Sequence, residues 1–450
     1  MTTAVRPTPS APRAYHFPRF ERRQLDNGLS ILVAPVHTLP VVTVLAVVDA
    51  GAVSEPQEKA GVARLTGQAL NEGTPKHDGE ALTDYLEQLG TSIGGSADWD
   101  AASLAMTVLR DNLDNAFARF VEVLTTPTFP DAAIERLKGE RIAEILQVES
   151  EPRELADERF DEYVYAQNSR FRLPLGGNSA SVTSITRDDV AAFHAARYRP
   201  GATTIIIAGD IDANTAEQMV RDALGAWTGE TPRRVQAIDA QSRPERAVRI
   251  VRKPEAPQSE LRLGHVGVPR AHADYFAITV MNAILGGLFS SRINLNLREA
   301  HGYTYGASSA FDWRREAGPF VVATAVASDV TAPAIEETLK EIDRMRAEPA
   351  SESELSLATS YLDGVFPIRY ETTSSIAAAL ANLVIYGLPD DWYDKYRPSI
   401  RAVTVDDVLR AAQMYVKPDA MQIVIVGDPG AIRGPVEALG FAPVTESGDA

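Results

Sequence analysis

The sequence contains no cysteine. Disulfides, thiolate nucleophiles and Cys-ligated zinc are therefore excluded. Basic residues are the minority: 44 Lys and Arg stand against 61 Asp and Glu, for a formal charge of −17. Phosphate backbones and anionic bilayers attract basic surfaces, so this balance argues against nucleic acid and against a membrane as partners. The acidity reads as a solubility feature. Long apolar runs are also missing. The longest, VVTVLAVVDAGAV at 41–53, is interrupted by Asp49 and is too short to span a bilayer. The start, MTTAVRPTPSAPRAYHFPRF, is proline-rich and has no apolar h-region, so it does not read as a signal peptide. A cytoplasmic protein is expected.

Motifs that carry chemistry are scarce. The seven histidines, His16, His37, His77, His194, His265, His272 and His301, include no pair at i, i+3, i+4 or i+5. No helical or finger-type metal site is visible. No glycine-rich phosphate loop and no G-x-S-x-G occurs. The acidic pairs Asp188/Asp189 and Asp406/Asp407 read as charges at helix N-termini, not as acid/base catalysts.

What is present is length, pattern and repetition. The 450 residues, 45% apolar and 23% charged, suit a globular protein of two or three domains. The segment ITRDDVAAFHAARYRPGATTIIIAGD (185–210) aligns without a gap on VTVDDVLRAAQMYVKPDAMQIVIVGD (403–428). Both run from a threonine N-cap through first-turn acids, a helix, a Tyr and a Pro into a β-branched strand ending in Gly-Asp. Two similar halves follow from this repeat. Each is expected to be an α+β unit, a mostly antiparallel sheet covered by helices. The boundaries read as a tail at 1–19, a first domain at 20–227, a polar linker at 228–246, a second domain at 247–440 and a tail at 441–450. In the first half, Asp26-Asn27-Gly28 marks a β-hairpin. Strands follow at 41–50 and 103–111, with helices at 60–72, 79–90, 112–125, 131–166 and 213–227. The second half has strands at 246–254, 259–269 and 319–327, with helices at 272–286, 332–346, 351–365 and 372–387.

Two stretches raise questions. In AGVARLTGQALNEGT (60–74) the apolar residues fit one helix face, yet Gly67 sits mid-helix, where glycine costs about 1 kcal/mol relative to alanine. In LREAHGYTYG (297–306), Arg298 offers a rigid fork of donors, and Tyr305, seven residues on, offers a phenol suited to a developing oxyanion. Two bland alternatives stand beside this reading: Arg298 solvated next to Glu299, and Tyr305 as a core strand residue.

Taken together, the hairpin LDNGLSILVAP, the segment 41–74, LGTSIGGSADWDAASLAMTVL and GGLFSSRINLNLREAHGYTYGASSAF resemble the pitrilysin/insulinase-type zinc peptidases. The resemblance covers nearly the whole chain. It implies two homologous α+β domains and a chamber for unfolded peptides formed by paired half-units. The family's zinc helix carries H-x-x-E-H where this chain has Arg64, Gly67 and Gln68. By the same resemblance Glu140 matches an earlier family Glu and Gln147 the third ligand, with Glu144 and Glu149 nearby. The metal is thus expected to be lost from this chain and the helix kept for packing. Arg298 and Tyr305 match the family's R/Y pair, which holds substrate carbonyls and the tetrahedral intermediate. SIGGSADW (92–99) is similar to the family's substrate-binding edge strand. The resemblance therefore implies a non-zinc, substrate-binding R/Y subunit of a heterodimeric metallopeptidase. Zinc would be supplied by a paralogous partner carrying H-x-x-E-H, and the chain would not be a peptidase alone. The alternatives are a non-catalytic scaffold derived from the same fold, or a homodimeric peptide-binding protein.

Overall fold

A computed structural model describes residues 14–235 and 243–447. The chain forms two six-stranded sheets. The first contains β1 (Glu21–Gln24), β2 (Ser30–Pro35), β3 (Val41–Val48), β4 (Gly94–Ala97), β5 (Ala102–Leu109) and β6 (Thr203–Gly209), in the order β1-β2-β6-β3-β5-β4. The second contains β7 (Ala247–Arg252), β8 (Gln258–Val266), β9 (Ala307–Phe311), β10 (Pro319–Ala327), β11 (Gln422–Gly427) and β12 (Val444–Ser447), in the order β12-β7-β11-β8-β10-β9. Both are mixed: β2 and β6 pair in parallel, as do β7 with β11 and β12 with β7, and the other pairs are antiparallel.

The repeat in the sequence is a repeat in register. The row Ile31–Ile205–Ala46–Leu104–Gly95 crosses five strands of the first sheet. The row Val248–Ile423–Leu263–Val322–Ser309 crosses the same five positions of the second. The two repeated helices begin alike: Thr186 and Asp189, and Thr404 and Asp407, close reciprocal capping boxes, so these acids serve the helix ends as expected. The halves differ in the sixth strand. The first sheet adds β1 through the 26–28 hairpin. The second adds β12 from residues read in the sequence as a C-terminal tail; Val444–Ser447 instead pair in parallel with β7.

The halves exchange helices. In the first sheet Ile31, Val33, Ile205 and Ile207 face their own half's core, while Leu32, Ala34, Ile206 and Ala208 face the other side. That second face is covered by Thr373–Tyr386, a helix of the second half. Reciprocally, Pro152–Val164 of the first half lays Leu155, Ala156, Phe160 and Val164 on Val251, Val266, Val424 and Val426 of the second sheet. Strands buried on both faces read as continuous apolar runs, as in TTIIIAG. The exchange depends on a break the sequence reading missed. The expected single helix at 131–166 is two, Asp131–Ser150 and Pro152–Val164. Glu151 is extended because it precedes a proline, and Pro152 starts the new helix at its first position, so the chain turns toward the other sheet.

Two further differences concern the ends and a helix. Part of the expected N-terminal tail packs on the second half: Phe17 is buried and stacks on Tyr393, with ring centroids 4.5 Å apart. A helix not anticipated, Trp392–Ala402, carries Tyr393 and Tyr396 into that core. In the expected linker, residues 236–242 lie outside the described residues. One stretch among the described residues, Tyr275–Ala300, has the length and hydropathy to cross a membrane, but it is broken at 288–291 and most of it is buried in the core.

Candidate functional site

The degenerate motif lies on the helix Val62–Ala69, whose Val62, Ala63, Leu65, Thr66, Gly67 and Ala69 are buried. Its exposed N–H groups are satisfied from upstream. The Glu55 carboxylate accepts from the backbone N–H of Gly61 and Ala63, each at 2.9 Å, and from Arg170 Nε at 2.8 Å. Burial pushes the Glu55 carboxyl up; the Arg170 guanidinium and the two N–H groups pull it back. Arg170 in turn lies over the Trp99 ring.

On the helix's outer face, Arg64 donates to Glu144 at 3.1 Å. Arg141 donates to the same carboxylate at 3.1 Å, and also to the carbonyls of Gly176 and Gly177. Gln68 shares the crevice with Arg64 and Arg141. Gln147 is exposed, and Glu144 is the residue that pairs with the motif helix. Glu149 is exposed and touches the chain elsewhere, through its carbonyl to Lys253. A catalytic zinc needs three protein ligands with an open fourth position. At the positions the resemblance assigns to ligands stand a guanidinium, Arg64, and an amide, Gln68, and position 67 carries no carboxylate. A fixed cation already neutralises Glu144. These residues do not fit a zinc ion, and no group of three His, Asp or Glu side chains able to hold a metal occurs among the described residues.

The second constellation is built by two helical segments joined by a short turn. The run from Tyr275 to Gly287 ends at Leu288–Ser291, and a second helical segment covers 292–300. Two buried polar residues fix this turn. Arg292 forks onto Glu354 at 2.7 and 3.0 Å; that contact, aided by the Ser351 N–H, holds the Glu354 carboxyl down at about 2. The Asn294 side chain donates to the Phe289 carbonyl at 2.6 Å and accepts from the Ala307 N–H at 3.0 Å. One amide thus ties the loop bearing Phe289 to the loop bearing Tyr305. Arg298 places its guanidinium over the Phe289 ring, 4.6 Å from its centroid, with Glu299 at 3.4 Å. Tyr305 is 93% exposed. It lines a groove of about 600 Å³ with Phe289, Gly286, Ala323, Arg262 and Arg153, a size typical of ligand clefts. Arg153 comes from the exchanged helix, so both halves line the groove.

Tyr305 and Phe289 therefore line one groove, and Arg298 is tied to it only through its stacking on Phe289. Arg298 does touch Glu299, as the bland alternative held, but its guanidinium is also stacked. The alternative for Tyr305 fails: β9 starts at Ala307 and the phenol points to solvent. Sequence reasoning missed Phe289, Asn294 and the Glu55–Arg170 pair. The signal for Phe289 was a lone large aromatic in a Gly/Ser-rich turn, GGLFSS.

Comparison with known proteins agrees with this architecture. Residues 31–175 match the model of the insulinase family, peptidase family M16, and residues 184–362 match that of the peptidase M16 inactive domain. The chain is 23% identical over 415 residues to an uncharacterized zinc protease of Mycobacterium tuberculosis, covering 91% of this chain and 93% of the relative. It is 22% identical to the non-peptidase homolog YmxG of Helicobacter pylori, over 83% and 85%. The crystal structure of a peptidase M16 inactive domain from Pseudomonas fluorescens superposes with a TM-score of 0.85 at 25% identity, covering 91% of this chain and 98% of that one.

Proposed function

The chain belongs to the pitrilysin/insulinase-type peptidase family, and from that premise we propose that it is the substrate-binding subunit of a two-chain zinc metallopeptidase that degrades unfolded peptides. The observation that carries this reading is the pairing of a full R/Y constellation with a motif helix that cannot hold metal. Tyr305 is exposed to solvent and lines a groove, and Arg298 stacks on Phe289, which lines the same groove. Arg64, Gly67 and Gln68 leave no ligand set and no general base. Hydrolysis would then need a paralogous partner bearing H-x-x-E-H, whose zinc would supply Lewis-acid chemistry and an activated water.

Within such a pair this chain's residues have defined tasks. Arg298 binds substrate carbonyl oxygen with a guanidinium whose position is fixed by stacking. Tyr305 donates its phenolic proton in a hydrogen bond to the oxyanion, where one donor is worth about 10²–10³ in turnover. A scaffold role would leave both residues idle. The test is peptide hydrolysis and zinc content of this chain, of the H-x-x-E-H paralogue, and of their mixture. Activity only in the mixture supports the proposal. Equal activity of the paralogue with and without this chain overturns it.

A further inference from the structure

We propose that the first half has closed the central position of its former reactive face by direct backbone packing, as the second half packs at Gly286, with Gly67 as the residue that makes the closure possible. The register rows end at Gly95 in the first sheet and Ser309 in the second. Above each lies a helix glycine. A Cβ placed on Gly67 would stand 2.7 Å from the carbonyl carbon of Ser96 and 2.9 Å from its oxygen. A Cβ on Gly286 would stand 2.6 Å from the Ser309 nitrogen. Gly95 returns the contact, since a Cβ there would meet the Gly67 carbonyl group. The motif helix of the first half and the helical run Tyr275–Gly287 of the second therefore settle on their edge strands, β4 and β9, through a missing side chain.

The position where the family resemblance places a general base is thus no empty slot. It is filled by the backbone of β4, and rigid backbone does not yield as the tip of a side chain would. Arg64 and Gln68 differ from Gly67 in this respect. Both are partly exposed and open toward the crevice, where Arg64 brings Glu144 the positive charge that joins the two helices. Ligand positions on this helix are replaceable; position 67 is not. This inference concerns the packing of the chain alone and is independent of any partner.

Alanine in place of glycine normally stabilises a helix interior, so the sign of one substitution decides the matter. Gly139 provides the matched control: it lies in the helix Asp131–Ser150, and a Cβ there meets nothing within 4 Å. Thermal unfolding of the full chain is measured for Gly67→Ala and Gly139→Ala. The expected result is a lower midpoint for Gly67→Ala, or its failure to fold, and an equal or higher midpoint for Gly139→Ala. The double variant Arg64→His/Gln68→His is expected to fold with a near-wild-type midpoint. A Gly67→Ala midpoint at or above that of wild type overturns the closure. So does an Arg64→His/Gly67→Glu/Gln68→His triple variant that unfolds like wild type.

Discussion

Phe160→Ala tests the exchange of helices between the halves. Phe160 is 3% exposed on the helix Pro152–Val164, and its ring enters the second sheet's far face beside Val266, Val424 and Val426. The fit is close, since a Cβ on Gly264 of β8 would stand 2.8 Å from the ring's Cζ. Emptying such a site removes the transfer free energy of the ring and leaves a cavity between a rigid sheet and a helix fixed at both ends. The expected loss is about 3–5 kcal/mol. Folded domains have net stabilities of about 5–15 kcal/mol, so this one truncation consumes a large share. Urea unfolding followed by tryptophan fluorescence suits the question, because Trp227 packs on the first half's core, Trp313 and Trp392 on the second's, and Trp99 sits at the seam beneath Arg314. Because each sheet is covered by a helix from the other half, the wild type is expected to unfold in one transition, and Phe160→Ala to shift that transition whole. Leu146→Ala, at a residue 59% exposed, should stay within about 0.5 kcal/mol of wild type. A Phe160→Ala loss below about 1 kcal/mol, or separate transitions for the two halves in the wild type, would refute the reasoning.

Further outcomes follow from buried charges around the two constellations. Glu55→Ala removes the cap of the motif helix and strands the Arg170 charge. A loss of about 3–5 kcal/mol is expected by denaturation, with much of it recovered in Glu55→Ala/Arg170→Met. For Glu354, the folded carboxyl lies near 2 against an ordinary 4.5, because Arg292 grips its charged form. A depressed carboxyl contributes stability that is present above its unfolded value and lost as pH falls toward the folded one. The wild type should therefore lose stability between about pH 4.5 and 2, and Glu354→Gln should flatten that limb; an unchanged limb would remove Glu354 as its source. For Asn294, Ala substitution frees the loops bearing Phe289 and Tyr305. It is expected to weaken peptide binding by the assembled pair more than Asn282→Ala, which cuts a similar tie to Ser309 farther along β9.

Local chemistry made much of the fold legible. Threonine caps three residues before an acid, the Asp-Asn-Gly turn and the β-branched strands are decided within a few residues, and the repeat exposed them twice. The exchanged helices were not legible, because Leu32 and Ile206 say only that both strand faces are buried, not what buries them. Pro152 and the polar stretch around it, ESEPRE at 149–154, carried the signal for the helix break. β12 has only four residues and is paired through its backbone, so its side chains gave little pattern. At the site, Gly67 looked anomalous because its reason lies across a non-local contact with β4. Glu144, one helical turn before Gln147, pairs with Arg64, a contact across two helices that spacing along the sequence does not show. Tyr305 was found by its distance from Arg298, whereas the ring that links them, Phe289, lies outside the motif.

The central claim is that a phenol of this chain stabilises the oxyanion formed when water, activated on a partner chain, adds to the scissile carbonyl. It is tested most directly by steady-state peptide hydrolysis of the assembled pair carrying Tyr305→Phe. The account predicts kcat lowered by about 10²–10³ with KM little changed, since the lost hydrogen bond belongs to the transition state. A variant pair that turns over at the wild-type rate would contradict it.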